Sequence, residues 1–295
     1  MLQYDHPVYR PPSEADSLII QAVIGCPHNR CGFCDMYKAK KFRARPQAEI
    51  LDDIERARLL YGPQIPTIFL ADGNAIVLPT ERLAEICQKA HELFPALRRI
   101  TVYGSAKFVA RKTPEELTLL RAAGLTRLHM GLESGDDVTL KKIEKGADAQ
   151  TIVRAGRLVM DAEIELSLYV MIGVAGVERT HEHATASAAV INAVRPTFVR
   201  LRTFIPRRNT PLLREWREGR LTLPDPYQAL RETRELIAGI DASTLLQSDH
   251  LSNFLDVSGG LPEQKGALLM QIDEALTWPR DRFRPDSAAL IEIGL

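Results

Sequence analysis

Cysteine is scarce in this chain, and long apolar runs are missing altogether. Only four cysteines occur in 295 residues. Three of them, Cys26, Cys31 and Cys34, are crowded into one short segment, so they do not read as a disulfide framework. In a reducing compartment such crowding suggests metal. No stretch approaches the ~20 consecutive apolar residues of a membrane span. The opening MLQYDHPVYRPPSEADS is polar and proline-rich and does not read as a signal peptide. A cytoplasmic protein is therefore expected. An excess of either charge is also missing: Lys plus Arg and Asp plus Glu number 38 each. That balance gives no global electrostatic reason for a nucleic-acid or anionic-membrane partner. The densest basic stretch, Lys38, Lys40, Lys41, Arg43 and Arg45, reads as a solvated loop rim. The alternative is a collar for an anionic substrate or an acidic electron donor. Flexible linkers, low-complexity tracts and short repeats are absent too.

What is present is an alternation of strand-length apolar runs with longer amphipathic stretches. Strands are predicted at 18–24, 67–71, 99–103, 127–130, 165–172 and 197–203. Helices are predicted at 48–61, 80–94, 136–144, 149–161, 180–194 and 226–240, with Thr80 as an N-cap. A further helix starts at Thr113 with Pro114 and Glu116, a capping box with a proline start, and ends at Gly124. Strand-then-helix repetition predicts an α/β protein with a parallel sheet, because parallel strands need crossover connections. With no sign of a strand-order switch, a partial (β/α)6 TIM-type barrel is expected over a doubly wound open sheet. Residues 1–240 form this core. Residues 241–295 break the rhythm with a mixed loop at 246–255 and a helix at 262–277. They are expected to be a short mixed C-terminal extension packed on the barrel.

The segment Gly25-Cys26-Pro27-His28-Asn29-Arg30-Cys31-Gly32-Phe33-Cys34 follows the first predicted strand directly. Barrel enzymes place their chemistry on such loops. Three close thiols suit a soft metal centre. Iron–sulfur clusters take four cysteines, but the fourth, Cys87, sits in the middle of a predicted helix and reads as a small buried apolar residue. One iron would then stay open to another ligand. A Cys₃His zinc site using His28 is the alternative, although structural zinc usually draws on two separated pairs. Chance clustering of thiols is the third reading.

The stretch GCPHNRCGFCDMY resembles the cluster loop of radical S-adenosylmethionine (SAM) enzymes. Their pattern is C-x₃-C-x₂-C with an aromatic before the last cysteine, a place that Phe33 fills. Here four residues, not three, separate the first two cysteines. The resemblance covers roughly residues 14–240. It implies a [4Fe–4S] cluster on Cys26, Cys31 and Cys34, with SAM on the open iron. Asp72, Gly73 and Asn74 stand where the family holds the SAM amino group. Glu133, with Ser134 beside it, stands near the ribose site. Gly173 lies in the segment packing on adenine. Arg202 shares a predicted strand face with Arg200 and is a candidate for the SAM carboxylate; Ser105 and Lys107 are further candidates for the same ligand or the substrate. The phrase GLESGDDVTLKKIEKG is similar to the branch holding oxygen-independent coproporphyrinogen oxidase and the methylthiotransferases. No auxiliary-cluster cysteines or cobalamin domain are recognisable.

That resemblance implies reductive cleavage of SAM to a 5′-deoxyadenosyl radical, which takes hydrogen from a small-molecule substrate. The partner is a one-electron donor of the flavodoxin or ferredoxin type. Tyr37, Tyr169 and His250 are candidate catalytic groups, with Asp249 and Asn253 near His250 in the extension. Two rival readings stand beside it. One is a non-catalytic iron–sulfur or zinc protein on a barrel scaffold. The other is an RNA-modifying member of the superfamily, against which the neutral composition argues.

Overall fold

The structure, a computed structural model, describes residues 2–284. The chain divides into two compact units. The first holds residues 1–29, 36–130 and 157–166, and the second holds 30–35, 131–156 and 167–295. The expected extension thus lies partly outside the described residues.

In the first unit, the predicted opening strand is broken at Ala22 into β1 (Leu18–Gln21) and β2 (Val23–Ile24). β2 turns away to pair antiparallel with β3 (Arg43–Ala44). Then come α1 (Gln47–Tyr61), β4 (Thr67–Ala71), α2 (Thr80–Leu93), β5 (Arg99–Tyr103), α3 (Ala106–Val109), α4 (Pro114–Ala122) and β6 (Leu125–Glu133). β1, β4, β5 and β6 are neighbours in that order, all parallel. Sequential order without a switch is barrel topology and excludes the doubly wound alternative for this unit. α4 opens with the predicted capping box: Glu116 N–H donates to Thr113 Oγ1, and Thr113 N–H to Glu116 Oε2. Gly124 follows it at φ +103. Thr80 departs from expectation. Pro79 is the N-cap of α2, and the Thr80 hydroxyl, buried in the fold, instead accepts from Lys112 Nζ at 2.7 Å.

One face of these strands carries Ile68, Leu70, Ile100, Val102 and Leu128, all fully buried. The other face carries polar groups. Here Glu14, on a short 3₁₀ turn before β1, places a fully buried carboxylate. It accepts from Ser17 Oγ (2.6 Å) and Thr101 Oγ1 (3.1 Å). Arg99 lies at 3.2 Å and His129 Nε2 at 3.4 Å. A buried carboxylate is tolerated only when its lone pairs are satisfied. This one ties together the chain before β1, β5 and β6.

The basic stretch is not a solvated rim throughout. The Arg45 side chain is 3% exposed and pairs with Asp53 at 2.7 Å, while donating to the Gln21 carbonyl. Lys40 is also buried, against Asp72 at 3.3 Å. Each charge has an acid waiting for it, which a one-dimensional charge run cannot reveal.

After β6, whose residues 131–133 belong to the second unit, the chain continues with α5 (Asp137–Lys142), α6 (Ala149–Asp161), β7 (Glu165–Ile172), α7 (Thr180–Val194), β8 (Phe198–Thr203), α8 (Pro211–Arg217), α9 (Pro226–Gly239), β9 (Thr244–Gln247), β10 (Gly259–Leu261) and α10 (Lys265–Ala275); all of these lie in the second unit except residues 157–166, the end of α6 and the start of β7. α8, β9 and β10 were not expected. The extension supplies real strands: β9 pairs parallel to β8, and β10 antiparallel to β9. Short strands with mixed apolar content carry little period-2 signal. β7, β8 and β9 bury Leu168, Val170, Val199, Leu201 and Leu246 on one face. Among the described residues no helix is long and apolar enough to cross a membrane.

Burial alone would raise the Glu14 pKa. Hydrogen bonds from His129 and Ser17 and the Arg99 charge outweigh it and hold it at about 2. A depressed folded pKa makes stability present above the unfolded value, 4.5, and lost as pH falls toward 2. The linked loss is about 3 kcal/mol. Urea midpoints measured from pH 6 down to pH 2 are expected to fall steeply for the wild type. In Glu14→Gln the starting midpoint is lower and the fall shallower.

Candidate functional site

Cys26 lies in the first unit, and Cys31 and Cys34 in the second; none of the cysteines forms a disulfide. Among the described residues, no three His, Cys, Asp or Glu side chains are gathered into a ready metal cage.

In the first unit, the ends of the opening strands and of β4 run on together past their ladders. Asp72 N–H donates to the Val23 carbonyl (3.1 Å) and Gly73 N–H to the Gly25 carbonyl (3.2 Å). The Asp72 carboxylate answers: Oδ2 accepts from Gly25 N–H and Gln21 Nε2, each at 3.0 Å, with Lys40 at 3.3 Å. Burial raises its pKa, against these hydrogen bonds and the Lys40 charge. Oδ1 is equally buried and has no hydrogen-bond partner among the described residues. Gly73 is a gap by necessity. A Cβ there would stand 2.7 Å from Tyr37 Cε2 and 3.1 Å from Cys26 Cβ. Tyr37 is 4% exposed and packs edge-on to Tyr9, so it walls this gap. Asn74 is spent on Ser105: it donates to Ser105 Oγ and accepts from Ser105 N–H, both at 3.0 Å. This pair latches the loop after β4 to the loop after β5. Cys87 is fully buried on α2, and burial pushes its thiol up to about 12. It is the inert apolar residue that the sequence suggested.

In the second unit, Gly32 holds the cysteine turn by its backbone. Its N–H donates to the Ile143 carbonyl (2.8 Å), and its carbonyl accepts from Leu212 N–H (3.1 Å). Cys34 N–H closes onto the Cys31 carbonyl at 3.3 Å. Phe33 lies under the Lys145 ammonium, 5.7 Å away. Lys145 pairs with Glu133 at 2.8 Å, both side chains nearly buried. Burial works against its charge, but Glu133 and the sulfurs of Cys31 and Cys34 outweigh it and raise its pKa. Sequence reasoning missed Lys145, because a lysine in an EKG turn looks like any solvent charge. Glu133 itself stands at φ +62, a conformation that turns its carboxylate back over Gly131, where any Cβ would strike it.

Ser134 and Gly173, from the loops after β6 and β7, each contact one of two adjacent buried side chains, His183 and Glu232, whose Nε2 and Oε1 are close without a hydrogen bond. Ser134 Oγ lies 2.9 Å from His183 Nδ1 on α7. His183 Nε2 lies 3.3 Å from Glu232 Oε1 on α9. The same oxygen accepts from Gly173 N–H at 2.8 Å. Both side chains are fully buried. Burial drives His183 down to about 4 and Glu232 up to about 8. Arg202 and Tyr169 lie on one sheet face, the guanidinium 5.4 Å from the ring centroid. Asn253 is consumed structurally, accepting from Thr203 N–H and donating to the Leu201 carbonyl.

The residues fit a [4Fe–4S] cluster and SAM by donor chemistry. Three partly exposed thiols offer soft ligands. Asp72 Oδ1, without a hydrogen-bond partner among the described residues, offers the acceptor chemistry that a cationic amino group needs.

Between pH 4.5 and 6.5, His183 and Glu232 oppose each other in their linkage to folding. From 6.5 to 8 only Glu232 acts: its raised pKa makes stability fall as pH rises. Glu232→Gln keeps an acceptor for Gly173 N–H and is expected to flatten the urea midpoint across that window. Glu232→Leu strands the N–H and is expected to lose about 1–3 kcal/mol at pH 6.5.

The sequence matches the Radical SAM superfamily over residues 20–186. The heme chaperone HemW of Bacillus subtilis (strain 168) is 25% identical over 233 residues, 76% of this chain and 60% of that protein. The chain thus spans less than two thirds of this curated relative. Among solved structures, the cobalamin-dependent SAM radical enzyme OxsB superposes with a TM-score of 0.55 at 19% identity, covering 74% of this chain and 40% of that one. Coproporphyrinogen III oxidase (HemN) from Escherichia coli gives 0.54 at 18% identity, covering 75% and 51%. At such identities the likeness shows the fold, an α/β partial barrel. With more than half of its residues inside the family match, the chain belongs to the radical SAM superfamily, whose cofactors are a [4Fe–4S] cluster and SAM.

Proposed function

We propose that the chain is a radical SAM enzyme in which Cys26, Cys31 and Cys34 ligate the cluster and leave one iron for SAM. One observation carries this reading. The three thiols follow the first strand inside the family match, and Cys26 stands beside the gap at Gly73, the residue after Asp72, whose Oδ1 has no hydrogen-bond partner among the described residues. When bound, the cluster and SAM together supply one-electron cleavage of the C5′–S bond, giving methionine and a 5′-deoxyadenosyl radical.

The chain's own residues bind and orient. Asp72 accepts from the SAM amino group, and Gly73 keeps side-chain bulk out of its way. The Asn74–Ser105 latch holds that loop still. Glu133, held in place by Lys145, accepts from the ribose hydroxyls. Ser134 and Gly173 are held by His183 and Glu232 respectively, and Gly173, with no side chain, lets backbone approach the adenine ring. Phe33 covers the cysteine turn against water. Tyr169 and His250 face the substrate, with Tyr37 as a wall. Residues 1–240 act as the core and 241–295 as the extension. The electron comes from a flavodoxin- or ferredoxin-type donor, and the substrate is a small molecule.

Likeness to a heme chaperone supports a second reading, in which the same fold carries a ligand without turning it over. Anaerobic, iron-loaded protein given dithionite and SAM decides. Release of 5′-deoxyadenosine is expected, and Cys→Ala at position 26, 31 or 34 is expected to abolish it together with the cluster absorbance. Asp72→Ala is expected to weaken SAM binding roughly tenfold. Saturable hemin binding with no deoxyadenosine from loaded protein would favour the carrier.

A further inference from the structure

The face of β7, β8 and β9 opposite the apolar core mixes polar side chains with Met171, Phe198 and Leu245. Register places Tyr169 beside Arg200, Met171 beside Arg202, and Arg200 beside Gln247. Tyr169, Met171, Arg202, Gln247 and His250 are all half-buried. Arg202 forms no ion pair with a carboxylate among the described residues. Its guanidinium lies over the Tyr169 ring at 5.4 Å. That contact sets the guanidinium against the ring, and its N–H groups make no hydrogen bond among the described residues.

The surroundings add positive charge. Arg284 Nη1 donates to the His250 carbonyl at 3.0 Å. Arg202, Arg284 and Arg207 all disfavour protonation of His250, which burial chiefly and these cations next bring down to about 4, against Asp249 alone. Arg207 has Asp35 at 3.5 Å; among the described residues no acid stands so near Arg202. A second, independent mark is Gln247. Its Oε1 is buried without a hydrogen-bond partner among the described residues. A half-turn of that amide exchanges the oxygen for an NH₂ donor. A half-buried guanidinium with no carboxylate among the described residues, an imidazole whose Nδ1 is held by Ser252, and an amide whose Oε1 lacks a described partner are what an oxyanion would complete.

We propose that Arg202, with Tyr169, Gln247 and His250, forms a subsite for an oxyanion of the substrate, a carboxylate or a phosphate. This deepens the radical SAM reading and rests on it for the word substrate. It departs from the assignment of Arg202 to the SAM carboxylate.

The test uses the full chain, purified anaerobically and iron-loaded. It is titrated with inorganic phosphate and, separately, with succinate, at ionic strength held constant with chloride. Binding heats and thermal midpoints are recorded. One of the two anions is expected to bind saturably and raise the midpoint, which names the group. Arg202→Gln is expected to weaken that anion roughly tenfold or more, with SAM affinity and cluster absorbance unchanged. Arg202→Lys keeps charge without the fork and falls between them, and circular dichroism of both variants reports folding. Absence of saturable binding by either anion overturns the subsite, as does equal binding in Arg202→Gln. An equal loss of SAM affinity returns Arg202 to the cofactor. Protein that takes up no iron defeats the radical SAM reading instead, and the anion isotherms still report on Arg202.

Discussion

A carboxylate cannot be sealed inside a protein unless its oxygens are answered, and Asp72 is sealed completely. One of its oxygens gathers Gly25 N–H, Gln21 and Lys40. Those contacts fix the residue just before Cys26 against the end of β4. The same junction forces glycine at position 73, because Tyr37 and Cys26 fill the space that a side chain would need. The proposed chemistry depends on this junction. It sets where the first thiol stands and leaves the second Asp72 oxygen buried without a hydrogen-bond partner among the described residues.

Buried charge does similar work elsewhere. Glu14 ties the chain before β1 to β5 and β6 from inside the first unit. Arg45 meets Asp53. In the second unit Lys145 holds Glu133, and His183 with Glu232 spans the loops carrying Ser134 and Gly173. Removing one member of such a set leaves the other unsatisfied in a low dielectric. The loops proposed to meet the cofactor are therefore held by polar contacts that have one geometry each, rather than by apolar packing that tolerates slippage. Arg202 stands apart, being a cation on a half-open face without a described acid.

Legibility followed the physics of each signal. The β4, β5 and β7 strands were readable as short, mainly apolar runs rich in β-branched and aromatic residues. α4 was readable because Thr113, Pro114 and Glu116 encode their own start. The break at Ala22 was not, since apolar character continues across it and only pairing with β3 shows the turn. Thr80 looked like a cap but lies one residue inside the helix, behind Pro79. β9 and β10 escaped notice because strands of three or four residues barely complete one period.

The sequence by itself determined the α/β class, the parallel order of the core strands, the family, and the trio of thiols on the loop after the first strand. All of these depend on residues near one another in the chain, so spacing and local pattern suffice. Only the tertiary structure decided the partners: Lys40 for Asp72, Lys145 for Glu133, Glu232 for Gly173, Ser105 for Asn74, and the Arg202 guanidinium over Tyr169. Each of these joins groups far apart in sequence, and a charge or amide carries no mark of its partner until folding brings the two within hydrogen-bonding reach and removes the water between them.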